Sequence, residues 1–320
     1  MAFTLHSAEV VFSSSQLSIV GTLTTPTIKE SCPCVLMVHG SGPQDRDGNI
    51  SGFMVQIFKF LAEYLARNGI ASLRYDKRGC GKSEGNFKTA GLSEMVDDAC
   101  SAIDFLNVQT NIDKHNIYVL GHSEGAVLAP EICVKKPNLA GLIMLCASLR
   151  SFEEDGVKNA EVLNRDLDKI TGLKGILARF LFYSKKPLQT MVDLRKKVET
   201  TKAKTIWVSF TRVSAKFYRE TFNYDIKSYL QKTKHPILAI GGSKDFQCHP
   251  DDTRLIPSIS PSESEIHIID NMDHMLRLQV GEPTLRSYVD SGKEPIVEEV
   301  KELVCRWLKA QKANNALKFN

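Results

Sequence analysis

The sequence predicts an α/β protein built on a doubly wound, mainly parallel sheet, and three observations carry that reading. Short apolar runs recur along the chain: Cys34 to Val38, Ile70 to Tyr75, Ile117 to Leu120, Gly141 to Cys146, Ile237 to Ile240 and Glu265 to Ile269. They read as continuous runs, the pattern of strands covered by helices on both faces of a sheet. Stretches with helical spacing separate them, and a strand-helix-strand rhythm is what makes neighbouring strands parallel. The third observation is Gly121-His122-Ser123-Glu124-Gly125, a G-x-S-x-G turn that closes one apolar run and leads into the helix start Ala126-Val127-Leu128-Ala129.

Taken in order, Glu9 to Ser13 and Leu17 to Thr24 alternate and close at Pro26, which predicts an antiparallel opening. Phe53 to Asn68 has apolar residues at helical spacing and stops at Asn68-Gly69, a C-terminal glycine signal. Ser93, with Glu94, Asp97 and Asp98 behind it, starts a helix that runs to about Asn107, its acids near the positive N-terminal end. Glu298 to Ala310 predicts a last amphipathic helix. Between the runs ending at Cys146 and starting at Ile237 the rhythm breaks. Residues 149–235 show helical patterns and no clear core strand, and they include the apolar stretch Gly175 to Tyr183. An insertion at the strand ends is most simply a helical cap, so the expected domains are a core of 1–148 with 236–320 and a cap of 149–235.

The bulk properties narrow the function classes. A chain of 320 residues accommodates one large α/β domain with an insertion. The net charge of +4 comes from scattered Lys/Arg pairs, which suit solvated helix faces and argue against nucleic acid as a partner. No apolar run is long enough to span a bilayer, and the first residues lack the basic and apolar segments of a signal peptide. The eight cysteines form no C-x-x-C pair or Cys/His cluster, so zinc is not expected; Cys100, Cys133 and Cys146 read as small buried hydrophobes, and a reducing cytoplasmic setting is expected. No internal repeat or low-complexity linker is visible.

The chemistry centres on Ser123. A serine hydroxyl is a poor nucleophile at neutral pH and must be held clear of its backbone, beside a base and hydrogen-bond donors. A sharp strand-to-helix turn does this, and glycines at 121 and 125 avoid collisions in the crowded turn. In such a sheet the partners follow in the order Ser, acid, His. Asp245 stands in the loop Gly241-Gly242-Ser243-Lys244-Asp245 after one run, and His274 stands in Asp270-Asn271-Met272-Asp273-His274 after the next. His274 is the expected base and Asp245 its orienting carboxylate. Asp251, Asp252, His249 and His267 are the poorer alternatives. The expected oxyanion donors are the backbone N–H groups of Glu124 and of Ser41 in His39-Gly40-Ser41-Gly42-Pro43, with Gly42 as the alternative to Ser41. Gly40, Gly42 and His122 are candidates for contact with substrate.

Three motifs make the chain similar to the α/β-hydrolase superfamily: His39 to Asp47 (HGSGPQDRD), Tyr75 to Ser83 (YDKRGCGKS) and Gly121 to Gly125. Together they resemble bacterial carboxylesterases of the serine-aminopeptidase-like branch. The resemblance implies a core sheet of about eight strands with a cap, a Ser123/Asp245/His274 triad, oxyanion amides at Ser41 and Glu124, and no metal or organic cofactor. Lys77 and Arg78 lack Walker spacing and read as parts of a structural turn; Asp45, Arg46 and Asp47 read as local pairs ordering their loop.

The leading expectation is therefore a serine esterase for small to medium acyl esters, with the apolar stretch of the cap favouring hydrophobic groups. The same triad would serve an aminopeptidase or amidase, for which Glu153, Glu154 and Asp155 are candidate amine-binding acids, or an acyltransferase that excludes water. A non-catalytic ligand-binding protein on this scaffold would have no need to keep all three triad residues. The expected partner is a small ester or amide.

Overall fold

The computed structural model describes all residues except 1, 29, 51, 209, 210, 285, 286, 289–291, 293 and 320, and omits the side chains of 175, 181, 318 and 319. Strands β1 (Leu5–Ser14) and β2 (Leu17–Pro26) form the expected antiparallel pair. Then come β3 (Cys32–Val38), α1 (Ile57–Arg67), β4 (Ala71–Tyr75), α2 (Leu92–Asn107), β5 (Ile112–His122), α3 (Glu124–Lys135) and β6 (Gly141–Leu145). Each predicted run is a strand, and the runs at 237 and 265 continue the same sheet further on.

After β6 the chain leaves the sheet through α4 (Phe152–Asp168), α5 (Gly172–Phe182) and α6 (Pro187–Thr200), then a hairpin of β7 (Thr205–Val208) and β8 (Thr211–Ser214). It continues through α7 (Ala215–Phe222) and α8 (Ile226–Lys232), and returns as β9 (Ile237–Gly242), α9 (Pro250–Ile259), β10 (Ser264–Ile269) and α10 (Glu298–Phe319). The main sheet has eight strands in the order β1-β2-β4-β3-β5-β6-β9-β10. β2 pairs antiparallel with both β1 and β4, and the pairs from β4 to β10 are parallel.

Both faces of the sheet are dry along the central strands β3, β4, β6 and β9, as the continuous runs require. Along β3, Cys34, Leu36 and Val38 enter one core with residues of α2 and α3, while Val35 and Met37 enter the other with residues of α1 and α10. The winding reverses at β3, which lies between β4 and β5. The carboxyl ends of β3 and β5 are therefore neighbours at a topological switch point, where an open α/β sheet has room for a ligand.

Two helix boundaries and the content of the insertion differ from expectation. Helix α1 begins at Ile57, not Phe53: the Asn49 side chain accepts from the N–H groups of Val55 and Gln56, at 2.8 and 3.0 Å, and Gln56 is left-handed at φ 54°. A helix cannot run through such a residue. Helix α10 continues to Phe319, since no glycine or proline stops it after Ala310. The insertion is not purely helical either. Its β7–β8 hairpin has strands of four residues, too short to leave a periodic signature.

The insertion has a small core of its own, Val198, Ile206, Ala215 and Phe222. It is fastened to the sheet layer by α7: Glu220 accepts from the Ser93 N–H at 3.0 Å and the Ser93 hydroxyl at 2.9 Å, and Lys216 pairs with Glu94. Further on, Ile226 and Leu230 of α8 join the main core, so that helix belongs to the layer flanking the sheet.

Candidate active site

Ser123 occupies the turn between β5 and α3 with φ 55° and ψ −120°, a conformation that costs a residue with a Cβ of order 1–3 kcal/mol. The flanking glycines are demanded by backbone. A Cβ on Gly121 would lie 2.1 Å from the Gly125 carbonyl oxygen, and one on Gly125 would lie 2.1 Å from the Val38 carbonyl oxygen. The elbow is thus pressed against the end of β3, and the Ser123 N–H is held by the Leu145 carbonyl at 2.9 Å.

The structure brings Ser123, His274 and Asp245 into one line. His274 Nε2 lies 3.0 Å from Ser123 Oγ, and His274 Nδ1 lies 2.8 Å from Asp245 Oδ2. A carboxylate only accepts, so Nδ1 carries the proton and, in the neutral ring, Nε2 is left to accept from the serine hydroxyl. The other oxygen of Asp245 accepts from the backbone N–H groups of Gln247 and Cys248, both at 2.9 Å, which fixes the carboxylate plane. Burial opposes charge on His274, but the Asp245 carboxylate, together with Asp273 and Asp155, outweighs it and raises the imidazole above its ordinary value.

The turn that carries His274 is organised by residues the motifs do not announce. Asp273 Oδ1 accepts from the N–H groups of Met275 and Arg277 at 2.9 Å, and the buried Arg277 donates to the carbonyls of Glu294, Met275 and Val55. Burial lowers the Arg277 guanidinium to about 10. Tyr288, stacked on Phe246, accepts from the His274 N–H.

His122 is not at the cavity wall, contrary to expectation. Its ring is buried, and its Nε2–H donates to the carbonyl of His274 at 2.8 Å. Burial above all, with the neighbouring His274, lowers its pKa to about 3, so it stays a neutral donor. It positions the backbone of His274. The first x of G-x-S-x-G is absent from the cavity wall, whereas Ser123 lines it.

Ser41, Gly42 and Glu124 line a cavity of about 860 Å³ together with Ser123. Gly40 lies behind this wall, where an added Cβ would meet the Ser123 Cβ at 3.2 Å. Lys77, read from sequence as part of a structural turn, spans the two sides: its ammonium donates to the Gly40 carbonyl and to Glu124 Oε1, the latter at 3.0 Å. It ties the loop after β3 to the start of α3. Its neighbours do serve as local structure, Asp76 holding Arg46 and Arg78 holding Asp98. Asp45 accepts from the N–H groups of Asp47 and Asn49, and Asp47 pairs with Arg74.

The far side of the cavity comes from the insertion. Phe152, Val213, Phe217, Tyr218 and Tyr224 supply apolar and aromatic surface. The stretch Gly175 to Tyr183 does not: Ile176, Leu177 and Phe180 are exposed and absent from the wall, and the side chains of 175 and 181 lie outside the described residues. Of the three cap acids, Glu153 pairs with Arg195 and Glu154 caps α4 through Ser151. Asp155 alone lines the cavity, and burial raises its carboxyl to about 6.

Among the described residues, two sets of side chains place three ligand-type atoms within 4.8 Å of one another, His122/Cys146/His274 and Asp245/Cys248/His274. Both draw on His274, whose nitrogens already bond Asp245 and Ser123. Burial pushes the Cys146 and Cys248 thiols well up, away from the thiolate a metal prefers. The donor chemistry does not suit a metal.

A parallel sheet of this winding, with a serine elbow after β5 and the acid and histidine loops after β9 and β10, defines an α/β hydrolase. The chain belongs to the Hydrolase_4 family (serine aminopeptidase, S33), whose family model matches residues 51–279 and so spans Ser123, Asp245 and His274. Esterase EstD of Thermotoga maritima is 27% identical over 290 residues, covering 90% of this chain. Proline iminopeptidase of Elizabethkingia meningoseptica is 30% identical over 147 residues, 45% of this chain. The chain spans 65% of the length of EstD and 43% of that of the iminopeptidase. Among solved structures, Est1E of Butyrivibrio proteoclasticus with bound ferulic acid superposes with a TM-score of 0.60 at 15% identity, covering 96% of this chain and 99% of Est1E.

Proposed function

We propose that the protein is a serine esterase cleaving carboxylic esters with small to medium apolar groups. The observation that carries the reading is the continuous Ser123–His274–Asp245 hydrogen-bonded line opening on a partly aromatic cavity. In this reading His274 takes the Ser123 proton as Oγ attacks the ester carbonyl, and the backbone N–H groups of Ser41 and Glu124 stabilise the oxyanion. Collapse of the tetrahedral intermediate expels the alcohol, which takes the proton from His274 and leaves an acyl-enzyme. Water, activated by His274, then releases the acid. No step calls for a metal or organic cofactor.

A panel of acyl esters, aminoacyl amides and thioesters, run on the native protein and on Ser123→Ala, tests it. Cleavage of short-chain aryl esters that disappears in Ser123→Ala is the expected result; esterase activity surviving intact in that variant sinks the assignment. The second reading, an aminopeptidase, is favoured by Asp155 in the cavity wall and by the iminopeptidase relative. It requires a charged carboxylate beside the substrate amine, and burial works against that charge at Asp155.

A further inference from the structure

Helix α5 turns an apolar side to water. Leu173, Ile176, Leu177 and Phe180 follow the i, i+3, i+4, i+7 spacing, which gathers them on one arc of about 100°. All four are exposed, Leu173 at 82% and Phe180 at 84%. A contiguous stripe of this kind marks a surface that something covers.

The surrounding charge says what covers it. Lys174 and Arg179 fall on the two flanks of the stripe, and Lys169, Lys185 and Lys186 stand beyond the helix ends. Arg179 also donates to the Leu167 and Ile170 carbonyls and Lys169 lies 4.0 Å from Asp166, which leaves Lys174, Lys185 and Lys186 as the exposed cations outside those contacts. From 169 to 192 the sequence contains these five basic residues and no acidic one. A second copy of the chain fits poorly, because an isologous contact would set this cationic patch against itself. An anionic lipid surface fits: apolar side chains enter the acyl boundary while the flanking cations meet phosphate headgroups.

We propose that α5 docks the insertion on an anionic lipid surface, lying in the plane of the interface. This is adsorption; no helix among the described residues is long and apolar enough to cross a membrane. The preceding helix, α4, carries Phe152, Asp155 and Asn159 of the cavity wall and leads into α5, so the docking helix and part of that wall belong to the same insertion. The proposal stands apart from the esterase reading.

The test is co-sedimentation of the full chain with vesicles of mixed phosphatidylcholine and phosphatidylglycerol, compared with phosphatidylcholine alone, at low and high salt. Ile176→Ser/Phe180→Ser removes the apolar centre and Lys174→Glu/Lys185→Glu reverses part of the rim. These side chains are solvent-facing, so circular dichroism and melting temperature should match the native protein. Expected are at least tenfold stronger partitioning to the anionic vesicles, weakening with salt, and at least a tenfold loss in the serine variant. The charge reversal should lower binding by about fivefold or more for each residue changed. Failure to bind anionic vesicles, binding indifferent to the serine substitutions, or a lipid-free dimer that those substitutions dissociate would each overturn it.

Discussion

Asp245→Asn gives the sharpest test of the catalytic line because the surrounding backbone dictates what the amide must do. Two N–H groups, of Gln247 and Cys248, point at Asp245 Oδ1, so the carboxamide oxygen stays there. Its NH2 then faces His274 Nδ1 across the former 2.8 Å hydrogen bond. Facing a donor, Nδ1 must accept, which moves the imidazole proton to Nε2, the nitrogen beside Ser123 Oγ. That tautomer cannot take the serine proton. The same rearrangement in a Ser-His-Asp site costs about 10⁴-fold in kcat, or about 5 kcal/mol of transition-state stabilisation. The pH profile moves as well. In the native site the Asp245 charge overrides burial and lifts His274 above 6.5, and catalysis needs the neutral ring, so kcat/KM should fall as pH drops through a value above 6.5. With the Asp245 charge gone, burial is opposed only by Asp273 and Asp155, and the acid limb should shift to lower pH. The assay is kcat/KM for a soluble aryl ester from pH 5 to 9, with circular dichroism as the folding control. A loss of less than tenfold, or an acid limb that stays in place, would refute the reasoning.

Two further outcomes follow from the same geometry. Lys77→Met cuts the tie between the Gly40 carbonyl and Glu124, letting the expected oxyanion amides drift; kcat for the aryl ester should fall by about tenfold to a hundredfold while KM changes little. Ser123→Gly relieves the left-handed backbone that Ser123→Ala keeps, so urea unfolding should find the glycine variant more stable than the alanine variant by about 1 kcal/mol, after the entropy penalty of glycine.

The strands of the main sheet were legible because burial on both faces leaves an uninterrupted apolar signature, and the elbow because backbone crowding admits only glycine at 121 and 125. The positions of Asp245 and His274 were legible from chain order and from their place just past β9 and β10. What escaped rests mostly on specific side-chain contacts, near or far along the chain, that apolar periodicity does not carry. The start of α1 is set by the Asn49 side chain, and the role of Lys77 by its reach to Gly40 and Glu124. His122 sat inside the motif, yet its carbonyl partner lies 152 residues away. Apolar character in 175–183 was visible, but composition reads the same whether a helix turns inward or outward.

Apart from Phe152, Asp155 and Asn159 on α4, the insertion's wall of the cavity is concentrated in one stretch of chain. Val213, Phe217, Tyr218, Thr221 and Tyr224 all fall between β8 and the start of α8, while the serine, aspartate and histidine stand on loops of the sheet. Selection for a new substrate can therefore rewrite a dozen consecutive codons and leave the reacting groups untouched. If the proposed reaction holds, its reacting groups and the surface that shapes the substrate sit on separate parts of the chain, so the second can change while the first stays fixed.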